Sequence, residues 1–280
     1  MVNINIDTTP LSSNDEDIIK RYAIRSGHYE AIGQSEKANL IKMLHSDENI
    51  TVLPELFDSI RSAHIKNKII MRHTKLKHNT SHLYKLFKLG KKIMDLTLKY
   101  DFPPMAIIRQ FLMLKNSKQN VKELLKNPSK IPDEKLRNEI KMIEENRLDV
   151  FVTLDQSTTQ DYAEAFEVDM GKFLRQNDIK FKTQDELSQE QISKHGKAIN
   201  TPDFLIESDL TINGKKINWI DAKNFYGADT WMINKSITKQ TKKYVDEWGS
   251  GAIWFSLGFS EKLKINSNVY LMSKKLDSSS

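Results

Sequence analysis

The dipeptide Asn213-Gly214 constrains this chain more than any other feature, because both residues tolerate positive φ and apolar residues flank them on either side. Phe204, Leu205, Ile206, Leu210 and Ile212 precede the turn; Ile217, Trp219 and Ile220 follow it. The pattern predicts a β-hairpin over residues 199–226. The first arm opens on Pro202-Asp203 and the second closes on Asp221-Ala222-Lys223. Side chains alternate along a strand, so Asp221 and Lys223 share a face, Ala222 points the other way, and folding about the turn can bring Asp203 close to that face.

Two carboxylates and a lysine on neighbouring strands are costly to gather, since like charges repel and desolvation disfavours each ionised acid unless a cation lies between them. A hard divalent ion such as Mg²⁺ resolves the conflict. It prefers oxygen ligands, often takes only one or two carboxylates and keeps several waters. Asp203 and Asp221 are therefore candidate metal ligands, with Mn²⁺ as the natural substitute. Such an ion suits phosphodiester hydrolysis, and Lys223 would either position the attacking water or neutralise developing charge. A strand-edge charge cluster that discourages aggregation is the plainer alternative. An acid that follows a proline and heads an apolar run is a poor place for one.

Pro202-Asp203 with Asp221-Ala222-Lys223 resembles the PD-(D/E)XK nuclease signature, and Thr201-Pro202-Asp203-Phe204 with Trp219-Ile220-Asp221-Ala222-Lys223 is similar to its TPD-domain branch. More narrowly, the chain resembles the codanin-interacting nuclease family, also through Lys77-His78-Asn79-Thr80-Ser81 and Asn127-Pro128-Ser129-Lys130-Ile131-Pro132-Asp133. The resemblance implies a restriction-endonuclease-like core that places a helical glutamate beside the metal. Glu167 matches best, Glu164 is the fallback, and the Ala222 carbonyl is a further ligand. Gln240-Thr241-Lys242-Lys243-Tyr244 is similar to the Gln-xxx-Tyr helix motif of related nucleases. An i, i+4 pair shares a helical face, so Gln240 and Tyr244 together could hold the site or a nucleotide. A codanin-like partner and residence in the nucleus or cytoplasm are implied as well.

Periodicity gives an order of elements without the motif. Phe166, Met170, Phe173 and Leu174 predict an amphipathic helix over 162–176. A strand at 179–182, a polar helix or loop to Lys197, the hairpin, a basic helix near Lys235–Trp248 and strands at 252–255 and 269–272 complete the C-terminal half. The expected fold class is α/β: a helical region over 1–150, then a core of helix, three strands, helix and strand over 151–280. Pro132-Asp133 with Glu139-Ile140-Lys141 mimics the signature, but Leu136, Ile140 and Ile143 repeat with helical spacing. Asp133 is thus expected as a helix N-cap, with Glu139 and Lys141 as exposed helix charges.

The N-terminal half shows no evident strand alternation. Residues 1–14 read as a loose polar start, and helices are expected from Asp15 onward. Residues 51–100 carry eleven Lys or Arg against three Asp or Glu, densest at Met71–His78, a stripe that suits either phosphate contact or a solvated helix face. Lys235, Lys239, Lys242 and Lys243 add a second basic face. Residues 91–114 read as helix, Pro103-Pro104 break, helix, either a helix-turn-helix exposing Arg109 and Gln110 to DNA or two packed helices. His73, His78 and His82 lack the companion ligands that zinc requires. The absence of cysteine excludes disulfides, thiolate metal sites and a cysteine nucleophile. No apolar run reaches membrane-span length, so a soluble, intracellular protein without membrane contact is expected. The composite reading is a Mg²⁺-dependent nuclease acting on DNA or RNA. The alternative is a catalytically inactive adaptor that binds nucleic acid or a protein.

Overall fold

The computed structural model describes residues 1–149 and 156–273. The described chain is α/β and divides into two compact units: residues 1–19, 52–63 and 156–273 in one, 20–51 and 64–149 in the other.

The first unit is built on a five-stranded sheet in the order β2 (Phe181–Thr183), β3 (Phe204–Ile206), β6 (Trp219–Lys223), β7 (Gly251–Phe255), β8 (Val269–Met272). The β2–β3 and β3–β6 pairs are antiparallel, and β6–β7 and β7–β8 are parallel. Strands β6 and β7 are covered on both faces, which explains why Trp219, Ile220, Ile253, Trp254 and Phe255 are all buried and the apolar run does not alternate. One face packs on the helix Gln156–Gln176 through Met170 and Leu174, the other on the helix Trp231–Trp248 through Ile237 and Tyr244. Gly251 makes this packing possible, since a Cβ there would lie 2.2 Å from the Trp219 indole. Thr230 caps the second helix, accepting from Ile233 N.

Asn213 and Gly214 do take positive φ, 50° and 72°, as a two-residue hairpin turn demands. The hairpin is nevertheless broken into two sheets. β4 (Leu210–Ile212) pairs antiparallel with β5 (Lys215–Lys216), but its other edge pairs in parallel with β1 (Val2–Ile4). Only the outer parts of the arms, β3 and β6, join the large sheet. The expected loose start is therefore corrected: Val2, Ile4 and Ile6 alternate with Asn3 and Asn5, a period-two pattern, and Asn213 pins Ile6 through its side-chain amide. The polar stretch after β2 is a helix, Gln184–His195, with Thr183 and Glu186 forming a reciprocal capping box.

The second unit is helical. The long helix Pro54–Lys88 contributes its later residues, with Ile93–Tyr100, Pro104–Met113, Lys118–Lys126 and Glu134–Glu145. Leu83, Phe87, Ile93, Ile107, Ile140 and Ile143 are among its core residues. Asp133 caps its helix as expected, accepting from Leu136 N. Glu139 is corrected: it is buried and accepts from Ile93 N, satisfying an amide at the start of another helix. Gln110 is likewise buried, close to His73, while Arg109 is exposed.

Candidate functional site

β6 carries Asp221, Ala222 and Lys223 at its C-terminal end, beside the point where β3 leaves it. The ladder between them pairs Phe204 with Ile220 and goes no further, and continuing that register sets Asp203 opposite Asp221. The Ala222 amide, with no backbone partner on that side, donates to Asp203 Oδ2 at 2.7 Å. Sequence proximity to the turn thus becomes spatial proximity of two carboxylates, with one of them bonded to the strand that carries the other.

Asp221 is almost wholly buried. Its Oδ1 accepts from Gln240 Nε2 at 2.9 Å. Its Oδ2 has no well-formed hydrogen bond and faces the Lys223 ammonium as an ion pair. Gln240 also donates to the Tyr244 hydroxyl at 3.1 Å, and Tyr244 in turn donates to the Thr201 carbonyl at 3.2 Å. One helical face therefore holds both the buried carboxylate and the loop leading to Asp203. Tyr244 packs edge-on to Trp219 at 5.2 Å, which fixes its ring.

The electrostatics follow from crowding. Burial, and then the charge of Asp221, push Asp203 up to about 7, against partial relief from Lys223 and the Ala222 amide. Burial raises Asp221 too, with Lys223 acting against it. Glu167 is half-buried and raised by burial, then by Asp221. Each acid is thus held in its charged form only at a cost, and one ammonium does not offset three carboxylates.

Asp203 and Glu167 line the same cleft, of about 720 Å³, with Glu164, Gly171, Arg175 and Asp185 also on its walls. Glu164 is exposed and accepts from Gln160 at 2.9 Å. Among the described residues no group of three or more His, Asp or Glu forms a ready-made metal cage. The paired aspartates and the half-buried Glu167 present carboxylate oxygens, the ligand type a hard cation prefers.

One structural residue escapes the sequence reading. Gln191, on the helix Gln184–His195, accepts from Ile199 N at 2.7 Å and Asn200 N at 3.1 Å and donates to Asn200 O, so it fixes the approach to Thr201-Pro202-Asp203. Its position on the apolar side of a polar helix is the signal that could have found it.

The basic stripe is only partly available. Lys68 and Arg72 point at Asp101, Lys88 at Asp133, and His82 lies 2.9 Å from the Tyr100 hydroxyl. Lys75, Lys77 and His78 are exposed, as are Lys235, Lys239, Lys242 and Lys243. No helix among the described residues is long and apolar enough to cross a membrane.

Residues 132–275 match the family described as protein of unknown function, TPD sequence-motif. A human protein called CDAN1-interacting nuclease 1 is 25% identical over 245 residues, covering 81% of this chain and 82% of its own. The Xenopus tropicalis protein of the same name is 26% identical over 182 residues, 62% of this chain and 57% of its own. The chain spans about 40% of another relative, uncharacterized protein L539 of Acanthamoeba polyphaga mimivirus, at 33% identity over 115 residues. No solved structure matches the chain.

Proposed function

We propose, from the premise that this chain belongs to the TPD sequence-motif family and has relatives named as nucleases, that it is a metal-dependent nuclease of the PD-(D/E)XK type. The observation that carries this is the pairing of Asp203 with Asp221 beside Lys223, with Asp203 on the wall of a cleft that Glu167 also lines. The element order supports it too: a helix, antiparallel strands bearing both acids, a second helix and a parallel strand, with the helix Gln184–His195 and the β4–β5 excursion as insertions.

Asp203, Asp221, Glu167 and the Ala222 carbonyl are the groups that would hold Mg²⁺, or Mn²⁺ in its place. The paired aspartates, both raised by burial, fit a divalent cation better than they fit each other. When bound, such an ion lowers the pKa of a water and neutralises phosphate charge. Lys223 stands next to that position, where its ammonium orients the attacking water or balances charge on the phosphate. Gln240 and Tyr244 keep Asp221 and the Thr201 carbonyl in register, so both carboxylates stay on one side of the scissile bond.

The helical unit, residues 20–51 and 64–149, serves as a substrate- or partner-binding region in this reading. The name of the relatives supports a codanin-like protein as that partner. An adaptor that binds nucleic acid without cutting it is the second reading, favoured by the absence, among the described residues, of a group of three His, Asp or Glu set to hold a metal. Asp221→Ala separates the two. A folded variant should lose cleavage of labelled DNA and RNA by about 10²-fold or more, the scale for removing one electrostatic element of a site. Undiminished cleavage by that variant removes the assignment, and a parent that binds Mg²⁺ yet cuts neither nucleic acid leaves the adaptor.

A further inference from the structure

The cleft-facing stripe of the helix Gln156–Gln176 has a charge order that metal binding does not use. Glu164, Glu167, Gly171 and Arg175 follow one another at three- and four-residue steps, the spacing of one helical face, and all line the cleft. The acids lie toward the N-terminal side of this run and the guanidinium ends it. Glu167 and Arg175 are eight residues apart, about 12 Å along the axis.

Arg175 is held in place without being neutralised. Its Cζ lies 5.2 Å from the centre of the Phe181 ring, and Phe181 stands edge-on to Phe204 at 5.2 Å. Gly171, one turn earlier, lies beside it: a Cβ there would stand at ordinary contact distance, 3.5 Å from Arg175 Nη1 and 3.6 Å from Phe204. Among the described residues no carboxylate is within ion-pair distance of Arg175. Glu186 feels its charge, but that carboxylate is bonded to Thr183 N and Oγ1 at 2.8 and 2.9 Å. Stacking on a ring fixes the plane of a guanidinium and leaves its N–H edge free for a bidentate oxyanion.

The surroundings make that charge decisive. Among the described residues lining the cleft, Arg175 is the one cation, set against Glu164, Glu167, Asp185 and Asp203. A polyanion entering such a cleft is repelled everywhere except at this end. We infer that Arg175 is a phosphate clamp: it binds a non-scissile phosphate of the nucleic-acid strand, so that the strand runs along the helix with its reacting phosphate at Asp203 and Asp221. This rests on the reading of the cleft as a nucleic-acid site, and it adds the strand's direction and a fixed second contact to that reading.

The test uses the full chain and a short fluorescein-labelled single-stranded oligodeoxynucleotide, with anisotropy read in EDTA so that no bond is cut. Arg175→Met keeps the aliphatic stem over Phe181 and removes the charge. It should weaken binding about ten-fold at low salt and lower the slope of log K against log salt by about 0.7, the value for one phosphate contact on a single strand. Arg175→Lys should recover most of the slope and only part of the affinity, and it carries the test if the methionine variant does not fold. A folded Arg175→Met with the parent's affinity and slope overturns the clamp, as does a parent that binds no oligonucleotide. The two readings fail separately. Cleavage by the parent with no salt-slope change in Arg175→Met leaves the nuclease and removes the clamp, whereas a reduced slope together with full cleavage by Asp221→Ala leaves the clamp and removes the catalytic assignment.

Discussion

Asp101 in the helical unit and Asp203 in the sheet unit are both partly buried aspartates next to a lysine, yet they end at opposite ends of the carboxylate range. Burial alone would raise Asp101. Lys68 at 2.8 Å, the Gly27 amide at 2.8 Å, the Tyr29 hydroxyl at 2.9 Å and the Arg72 guanidinium overcome it and hold the group down at about 2. Asp203 receives the Ala222 amide and, in place of a second cation, meets another carboxylate; it is pushed up to about 7. The first aspartate is a structural clasp whose demands are met within the protein. The second keeps an electrostatic demand that the protein's own cations meet only in part.

Removing each carboxylate should therefore move stability in opposite directions. Asp101→Ala leaves Lys68 and Arg72 facing each other with no counter-charge. It should cost about 2–3 kcal/mol in urea unfolding, below the range for a fully buried pair because Asp101 keeps some contact with water. An effect under about 0.5 kcal/mol would mean that the clasp is decorative. Asp203→Asn keeps an oxygen for the Ala222 amide while deleting one of the two repelling charges. Without divalent metal it should be neutral or more stable by about 1 kcal/mol, the usual relation between a functional site and its own stability. Clear destabilisation of that variant would show that Asp203 belongs with Asp101.

The pH dependence sharpens the same contrast. The folded value of Asp101 lies below that of the unfolded chain, so its stabilisation is complete above about 4 and is lost as pH falls through about 2. Asp203 has the reverse sign. Its folded value lies above the unfolded one, so its penalty is absent below about 4, grows between 4 and 7, and is complete above 7. Metal-free parent protein should gain stability on going from pH 8 to 5, and Asp203→Asn should lose most of that gain. Superimposable pH profiles for parent and variant would remove the charge conflict.

The smallest effect concerns the loop. Gln191→Leu deletes its two accepted bonds and one donated bond and should cost about 1–2 kcal/mol while lowering turnover more than substrate affinity. A fall in affinity alone would place its role elsewhere.

The acids, the lysine and the turn were legible in the sequence because they sit on short periodic strands around a glycine turn, where local rules act alone. The helix Gln156–Gln176 was legible from its helical period, and the strands β7 and β8 from their short apolar runs. The splitting of the hairpin was not, since it depends on β1 arriving from more than 200 residues away to take the edge of β4. Glu139 was misread because a polar residue on a helix looks solvent-facing until a second helix offers a partner such as the Ile93 amide, whereas for Gln110 the sequence left an exposed and a packed helix both open. Arg175 carried no motif; its standing comes from Phe181, which only the fold brings under it.

The most direct test of the unmet demand at Asp203 and Asp221 is Mn²⁺ binding followed by electron paramagnetic resonance of the metal-free protein. The parent should take up the ion, Asp203→Asn and Asp221→Asn should each lose it, and Asp101→Asn should retain it. Equal uptake by the parent and both site variants, or none by the parent, would contradict the account.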